Sequence, residues 1–286
     1  MIRKGIILAG GHGTRLSPLT KIINKQLLPL YDKPTIFYPL SVLLLANIRD
    51  ILIITNPLED NYFKKILGDG SDFGIKIEYT TQQKPSGLSE AFIIGENFIN
   101  KKNVAMILGD NFFFGQGFTK KLLEVQKVNG STIFLYPVKN PKNYGTVSLI
   151  RKKIKTIEEK PKNPKSNLAI VGLYFFDGNV SEYAKKLKPS KRGELEIVDL
   201  INIYKNRKKL NYKLLGRGST WLDTGSIENL YDASQFVSNI EKRQGLKIAC
   251  IEEIALEKNW INKKLLKKRI KFYGNCEYSY YLKKLL

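Results

Sequence analysis

Apolar runs divide the first half of the chain into predicted strands. Lys4 to Ala9, Ile51 to Thr55 and Val104 to Leu108 are nearly continuous apolar stretches, a pattern typical of strands buried on both faces of a sheet. Ile75 to Thr80 alternates between apolar and polar residues and predicts another strand. Pro39 to Ala46 predicts a helix, and the alternation of strands with helices indicates a mostly parallel sheet covered on both faces.

The second half of the chain mixes strand and helix patterns. The predicted strands are Ser131 to Val138, Val147 to Ile150, Lys153 to Ile157, Val171 to Phe176 and Tyr212 to Leu215. One predicted helix carries Leu88, Ala91, Phe92 and Phe98 on one face, and a second spans Ile197 to Tyr204. A third begins after the N-cap Ser226, and the pattern is helical from Glu252 onward. We therefore predict an α/β fold: a single Rossmann-like domain, residues 1–240, with a mostly parallel mixed central sheet flanked by helices, plus C-terminal helices in residues 241–286.

The charge of the chain is unusually positive. Lysine and arginine outnumber the acidic residues 48 to 26, which gives the 286 residues a net charge of +22. A net positive charge of this size is typical of proteins that bind nucleic acid, a membrane surface or small anionic substrates. The lysines are scattered, so we interpret the charge as background composition and predict no nucleic-acid partner. The rival class is a basic nucleic-acid binder, for which Tyr278 to Lys284 mixes aromatic residues with cations; a packed C-terminal helix explains that segment equally well.

Cysteine usage and apolar run lengths predict a cytoplasmic protein. Cys250 and Cys276 have no metal-type spacing, and two cysteines argue for a reducing compartment rather than a disulfide framework. The N-terminus carries no secretion pattern. The longest mostly apolar stretch, Ile36 to Ala46, is too short for a bilayer, which needs about 20 residues. We therefore expect a soluble protein without a membrane partner.

A glycine-rich loop follows the first predicted strand. Gly10, Gly11 and Gly13 precede Thr14 and Arg15. Glycines bring backbone N–H groups against phosphate oxygens, a following helix would add its dipole, and an arginine grips phosphate with two donors. The loop matches neither the NTPase phosphate loop nor the dinucleotide fingerprint, and a glycine-rich turn is often only a turn. The only histidine, His12, receives no role.

Three further positions carry candidate chemistry, each with a simpler alternative. Lys25 can neutralise phosphate, although most lysines are merely solvated. Asp110 follows a buried strand, where α/β sheets bind ligands, and can hold Mg²⁺, although Gly-Asp-Asn also makes turns. Asp223 precedes a capped helix and can supply the second carboxylate, although it can equally serve the start of that helix.

Together these segments resemble the sugar-phosphate nucleotidyltransferases. Each motif alone is weak, but they follow the order seen in that family and span nearly the whole chain. The motifs are GIILAGGHGTRLSPLT from Gly5, NKQLLPLYDKP from Asn24, GDN from Gly109, EEKP from Glu158, VGLYFFD from Val171, RGELEIVDL from Arg192 and WLDTG from Trp221.

The resemblance implies roles position by position. Arg15, Lys25 and Lys160 would be catalytic, with Lys160 on the phosphate of the sugar, and Asp110 and Asp223 would hold Mg²⁺. The implied nucleotide contacts are Leu8, Gly10, Gly11, Gly13, Thr14, Arg15, Gln26, Gln82 and Gly87. The implied sugar contacts are Asn111, Gly145, Glu159, Lys160 and Ile170.

The resemblance also implies the reaction and the assembly. We expect dTTP and glucose 1-phosphate to form dTDP-glucose and pyrophosphate, the first step of dTDP-L-rhamnose or deoxysugar synthesis, since Gln26 resembles the thymidylyl type. UTP or another sugar phosphate remains an alternative. A homotetramer with feedback by a downstream nucleotide sugar is implied, with 241–286 as the assembly and regulatory segment. Ser86, Ile170 and Ile251 depart from the family pattern, so fine substrate choice and regulation stay open.

Overall fold

The predicted strands lie side by side in one mixed sheet in the computed structural model, which describes residues 2–57, 59–127 and 129–286. The strands are β1 (Lys4–Ala9), β2 (Pro29–Leu30), β3 (Lys33–Pro34), β4 (Asp50–Thr55), β5 (Lys76–Thr81), β6 (Val104–Leu108), β7 (Asn111–Gly115), β8 (Ser131–Pro137), β9 (Thr146–Ile150), β10 (Lys153–Glu158), β11 (Leu168–Phe176), β12 (Leu210–Leu214) and β13 (Ser219–Asp223). The helices are α1 (Phe37–Leu45), α2 (Asp60–Leu67), α3 (Glu90–Ile94), α4 (Glu96–Ile99), α5 (Phe118–Glu124), α6 (Val180–Lys185), α7 (Ile197–Asn206), α8 (Ile227–Gln244), α9 (Ile251–Glu257), α10 (Lys263–Tyr273) and α11 (Glu277–Lys283).

The sheet combines a parallel half with an antiparallel half. Its strands run in the order β10-β9-β11-β6-β1-β4-β5, and β8 pairs with both β11 and β12. Strand β1 is parallel to β4 and β6, and β4 is parallel to β5. Strand β11 runs antiparallel to β6, β8 and β9. The predicted mixed α/β sheet is therefore confirmed, and the antiparallel pairs gather around β11.

Alternate residues of the central strands enter two separate cores. Ile7 of β1 packs in one cluster with α1 and α9 residues, whereas Ile6 packs in the other with residues of α3 and α7. In a strand, successive side chains point to opposite faces. Covering both faces with helices therefore requires continuous apolar strands, which is why the runs could be read from the sequence.

The helix predictions were partly correct. Ser226 caps α8 as expected, because its side chain accepts a hydrogen bond from Asn229 N. The single helix predicted across Leu88 to Phe98 was wrong: it divides into α3 and α4 at Gly95, whose missing side chain lets Ile6 and Leu52 approach. The chain after Glu252 is helical, in α9, α10 and α11.

The C-terminal helices form a small core of their own against the main domain. Cys250, Leu266 and Tyr278 are buried together there, and both cysteines are free thiols. The division at residues 240 and 241 stays a prediction, and it falls inside α8. Within the described residues no helix has the length and apolarity needed to cross a bilayer.

Four short strands, β2, β3, β7 and β13, were not predicted from the sequence, and the last two matter for the site. Strands β7 and β13 pair antiparallel, with Asn111 opposite Asp223. Their motifs were interpreted as a turn and as the start of a helix, because neither segment forms a strand without the other. This ribbon lies next to the edge where β1, β5 and β6 end, since only two residues separate the end of β6 from the start of β7.

Candidate active site

The glycine loop runs past the lysine that the sequence singled out. A Cβ added to Gly11 would lie 3.4 Å from Lys25 Nζ, and one added to Gly13 would lie 2.8 Å from Thr20 Cγ2. Gly13 has φ of +61°, a conformation that glycine adopts without strain. Between the glycines and β2 the chain forms only short 3-10 turns, Thr14–Leu16, Leu19–Lys21 and Lys25–Leu27. The regular helix whose dipole would favour phosphate is therefore not there, and the loop offers bare backbone and Arg15 instead.

Asn24 fixes the segment that carries Lys25. Its Nδ2 donates to the carbonyl of Ala9 at 3.1 Å, and its Oδ1 accepts from Gln26 N at 2.8 Å. These bonds tie the segment to the carboxyl end of β1. Lys25 Nζ then lies 2.5 Å from Asp110 Oδ2, so the cation is held between the glycine loop and the first acid.

The two predicted metal ligands meet through the β7–β13 ribbon. Thr224, 114 residues beyond Asp110, donates to the carbonyl of Asp110 through its N at 2.9 Å and its Oγ1 at 2.8 Å. Asp223 Oδ1 accepts from Gly225 N at 2.9 Å, and its Oδ2 lies 3.9 Å from Arg15 Nη2. The structure thus brings both acids, Lys25 and Arg15 to one place.

The pKa values of Asp110 and Asp223 are shifted in opposite directions by the charges around them. Burial raises the pKa of Asp223, and the negative charge of Asp110 raises it further. Burial alone would also raise the pKa of Asp110, but the charge and hydrogen bond of the Lys25 ammonium outweigh it, so that pKa is lowered. A divalent cation between the carboxylates would relieve the repulsion felt by Asp223.

The two carboxylates suit Mg²⁺ better than a metal ion whose ligands all come from the protein. Among the described residues, no group of three or more histidine, cysteine or acidic side chains could hold a metal. Mg²⁺ commonly takes one or two carboxylates and completes its shell with water and substrate phosphates. Asp110 and Asp223 fit that requirement, whereas a structural zinc site would need four ligands.

The predicted nucleotide side of the site contains buried amides. Gln26 is 1% exposed, and its Oε1 has no hydrogen-bond partner among the described residues. Buried acceptors are rarely left unpaired, so a ligand donor at this point would complete the structure. Gln82 is 5% exposed, and its Oε1 lies 2.9 Å from where a Cβ on Gly10 would stand. Leu8 is buried at the end of β1.

The predicted sugar side lies at the β10-β9-β11 end of the sheet. A Cβ on Gly145 would lie 3.3 Å from Glu159 Oε2 and 3.5 Å from Ile170 Cδ1, so these three residues share one space. Asn111 connects it to the acids: its Nδ2 donates to Asp110 Oδ1 at 3.0 Å, and its Oδ1 accepts from Trp221 Nε1 at 2.6 Å.

One cation near the sugar side was missed by the sequence analysis. Lys160 Nζ lies 3.8 Å from Glu159 Oε1, and Arg192 Nη2 lies 3.6 Å from the same oxygen. Arg192 stands first in a quoted motif but received no role; its shorter ion pairs are with Glu196 at 2.9 Å and Glu194 at 3.1 Å. Burial raises the pKa of Glu159, while Lys160 opposes that change. The two cations could meet an anionic group next to this carboxyl.

Comparison with known proteins places these features in context. The family described as nucleotidyl transferase matches residues 4–240. A glucose-1-phosphate thymidylyltransferase of Neisseria meningitidis is 52% identical over 285 residues, which is 99% of each chain. A Bacillus anthracis structure described as that enzyme, with sucrose bound, superposes with a TM-score of 0.76 at 39% identity and covers 82% of this chain and 94% of its own. A UDP-glucose pyrophosphorylase with UDP-glucose gives 0.74 at 26% identity, covering 85% and 100%.

Proposed function

The chain belongs to the nucleotidyl transferase family, and from this premise we propose that it forms dTDP-glucose and pyrophosphate from dTTP and glucose 1-phosphate. The full-length relative at 52% identity carries the name of that activity. The observation that supports the chemistry most directly is the convergence of Asp110, Asp223 and Lys25 beside the glycine loop. Sites of this kind act by positioning and charge neutralisation rather than by a covalent group.

The proposed step is an in-line displacement at the α-phosphorus. An oxygen of the sugar phosphate forms a bond to that phosphorus, the bond to the β-phosphate breaks, and pyrophosphate leaves. Lys25 and Arg15 would neutralise the triphosphate, and Lys160 would hold the sugar phosphate. Asp110 and Asp223 would hold Mg²⁺, which supplies further charge neutralisation when bound.

The buried amides support a nucleotide base as ligand, and the similarity to relatives supports the choice of base. Gln26 Oε1 is a buried acceptor without a partner among the described residues, and Gln82 presents a second amide beside Gly10. We propose dTTP as the preferred nucleotide, because full-length relatives that are 52% and 50% identical bear the thymidylyl name. UTP is the competitor to test, because the fold is also similar to a UDP-glucose pyrophosphorylase.

Product identification tests the proposal. The protein is mixed with Mg²⁺, glucose 1-phosphate and each triphosphate in turn, and the nucleotide sugar is identified by mass while pyrophosphate is measured by a coupled assay. We expect dTDP-glucose as the main product and none after chelation. Lys64→Ala, on the exposed face of α2, should match the wild type. Faster turnover with UTP than with dTTP would contradict the nucleotide assignment, and no pyrophosphate with any triphosphate would contradict the activity.

The remaining expectations concern assembly and location. We propose that residues 241–286 serve assembly and regulation in a homotetramer, that the enzyme supplies a pathway of activated deoxysugars, and that it works in the cytoplasm without nucleic-acid or membrane partners. Support for the first point is the separate apolar core of α9 to α11. Light scattering of the purified protein would test the tetramer.

A further inference from the structure

The orientation of the Gln82 amide is fixed by a neighbour that no motif singled out. Gln82 Nε2 donates to Glu90 Oε2 at 2.6 Å and more weakly to the carbonyl of Gly87 at 3.4 Å. A carboxylate and a backbone carbonyl accept hydrogen bonds and do not donate them. Both partners therefore demand the NH₂ end of the amide. Its carbonyl oxygen must point the other way, toward the glycine loop.

That carbonyl oxygen is the group offered to a ligand. Gln82 Oε1 lies 2.9 Å from the position of a Cβ on Gly10, and no described residue donates a hydrogen bond to it. The backbone of Gln82 is held as well, because its N donates to the carbonyl of Thr55 at the end of β4 at 2.8 Å. The site thus presents a fixed hydrogen-bond acceptor rather than an amide that is free to flip.

The loop that carries the second partner is itself clamped. Gly87 has φ of +107°, and a Cβ there would lie 2.5 Å from both the N and the O of Leu195. Leu195 N donates to the carbonyl of Ser86 at 2.7 Å, and Leu195 O accepts from Ser89 N at 3.2 Å. The start of α3, and with it Glu90, is therefore held against the segment that also carries Arg192.

We propose that Glu90 is a positioning residue for base selection: it locks the Gln82 amide so that the site accepts a base edge bearing an N–H donor and rejects one bearing an acceptor. The inference rests on the proposed function, in which Gln82 meets the nucleotide base. Thymine and uracil carry an N3–H donor, whereas the N3 atom of cytosine is an acceptor. The locked carbonyl oxygen therefore selects a pyrimidine dione over cytosine, without distinguishing thymine from uracil.

The variant Glu90→Gln tests the orientation of the Gln82 amide separately from the packing of residue 90. The substitution keeps the shape of the side chain, but the new amide can donate or accept a hydrogen bond. The amides of residues 82 and 90 can therefore flip together. We expect the ratio of the CTP inhibition constant to the dTTP KM to fall by about tenfold. A change of this size is within the range that a good base-edge contact supplies. The KM for dTTP should rise while kcat changes little, because Glu90 touches neither phosphate nor sugar in this arrangement.

The test measures kcat and KM with dTTP and UTP, and the inhibition constant of CTP against dTTP. Glu90→Asp keeps an acceptor-only group and should restore the ratio of CTP inhibition constant to dTTP KM at least in part. Glu96→Gln, the same change at an exposed carboxylate on α4 that pairs with Lys185, should leave every constant unchanged. Melting curves verify that each variant is folded.

The outcomes separate the two proposals. A ratio in Glu90→Gln within twofold of the wild type would overturn the role of Glu90 while dTDP-glucose synthesis stands. An equal loss in Glu90→Gln and Glu90→Asp, with kcat falling too, would also overturn it in favour of a purely structural role. A wild type that turns over no dTTP would overturn the proposed function and, with it, the assignment of the base.

Discussion

Replacing Lys33 with methionine would test how strongly a buried ionic network holds the segment that carries the proposed catalytic lysine. Lys33 Nζ lies 2.5 Å from Asp32 Oδ1 and 3.2 Å from Glu241 Oε1, near the end of α8. The side chains of Lys33 and Glu241 are 2% and 5% exposed. Lys247 Nζ lies 3.2 Å from the other oxygen of Glu241. The network thus joins residues 208 positions apart.

The expected loss follows from burial. Removing one partner of a buried ion pair costs about 3–5 kcal/mol, because the remaining charge stays away from water. Glu241 would keep Lys247 and also the hydrogen bond from Ile248 N at 2.8 Å, so the lower end applies, about 3 kcal/mol. In a chain of this length, each kcal/mol lowers Tm by about 2 °C, which predicts a fall of about 6 °C.

An exposed pair of equal length provides the control. Lys64 Nζ also lies 2.5 Å from an aspartate, Asp60, but its side chain is 47% exposed. Exposed pairs contribute about 0–1 kcal/mol, so Lys64→Met should change the free energy of unfolding by less than about 1 kcal/mol. Urea unfolding followed by circular dichroism at one protein concentration measures both variants. Equal losses in Lys33→Met and Lys64→Met would refute the argument from burial.

Four further substitutions address the site. Lys25→Ala and Asp223→Asn should each lower turnover by at least about two decades, since each removes a preorganised charge; near-normal turnover in the coupled pyrophosphate assay would argue against the assigned role. Lys25→Ala should also lower Tm, because it leaves the buried Asp110 without its partner. Gly87→Ala should cost at least about 1 kcal/mol of stability, because φ of +107° strains any side chain, and an unchanged urea midpoint would contradict this. Trp221→Phe removes one donor to Asn111 Oδ1 and leaves the one from Gly172 N at 3.2 Å. It should raise the KM for glucose 1-phosphate with little effect on that for dTTP; equal changes in both would indicate general damage.

The parts of the fold that could be predicted are those that a short stretch of sequence specifies. Lys4–Ala9 and Val104–Leu108 match the predicted bounds residue for residue, because burial on both faces requires an uninterrupted apolar run. The cap at Ser226 was also predicted, since capping depends on one side chain and the next three residues. The predicted helix across Leu88 to Phe98 failed because its break at Gly95 depends on packing against β1 and β4.

The sequence by itself determined the mixed α/β class, the family and the set of candidate acids, cations and glycines, because these follow from apolar periodicity and from the order of short motifs. Only the tertiary structure decided how they meet. Asp110 and Asp223 come together because two strands pair that neither segment specifies alone. The contacts of Gln82 with Glu90, of Glu159 with Arg192 and of Lys33 with Glu241 are likewise set by packing. A single side chain encodes its own chemistry, but its distance from a partner depends on every element packed between them.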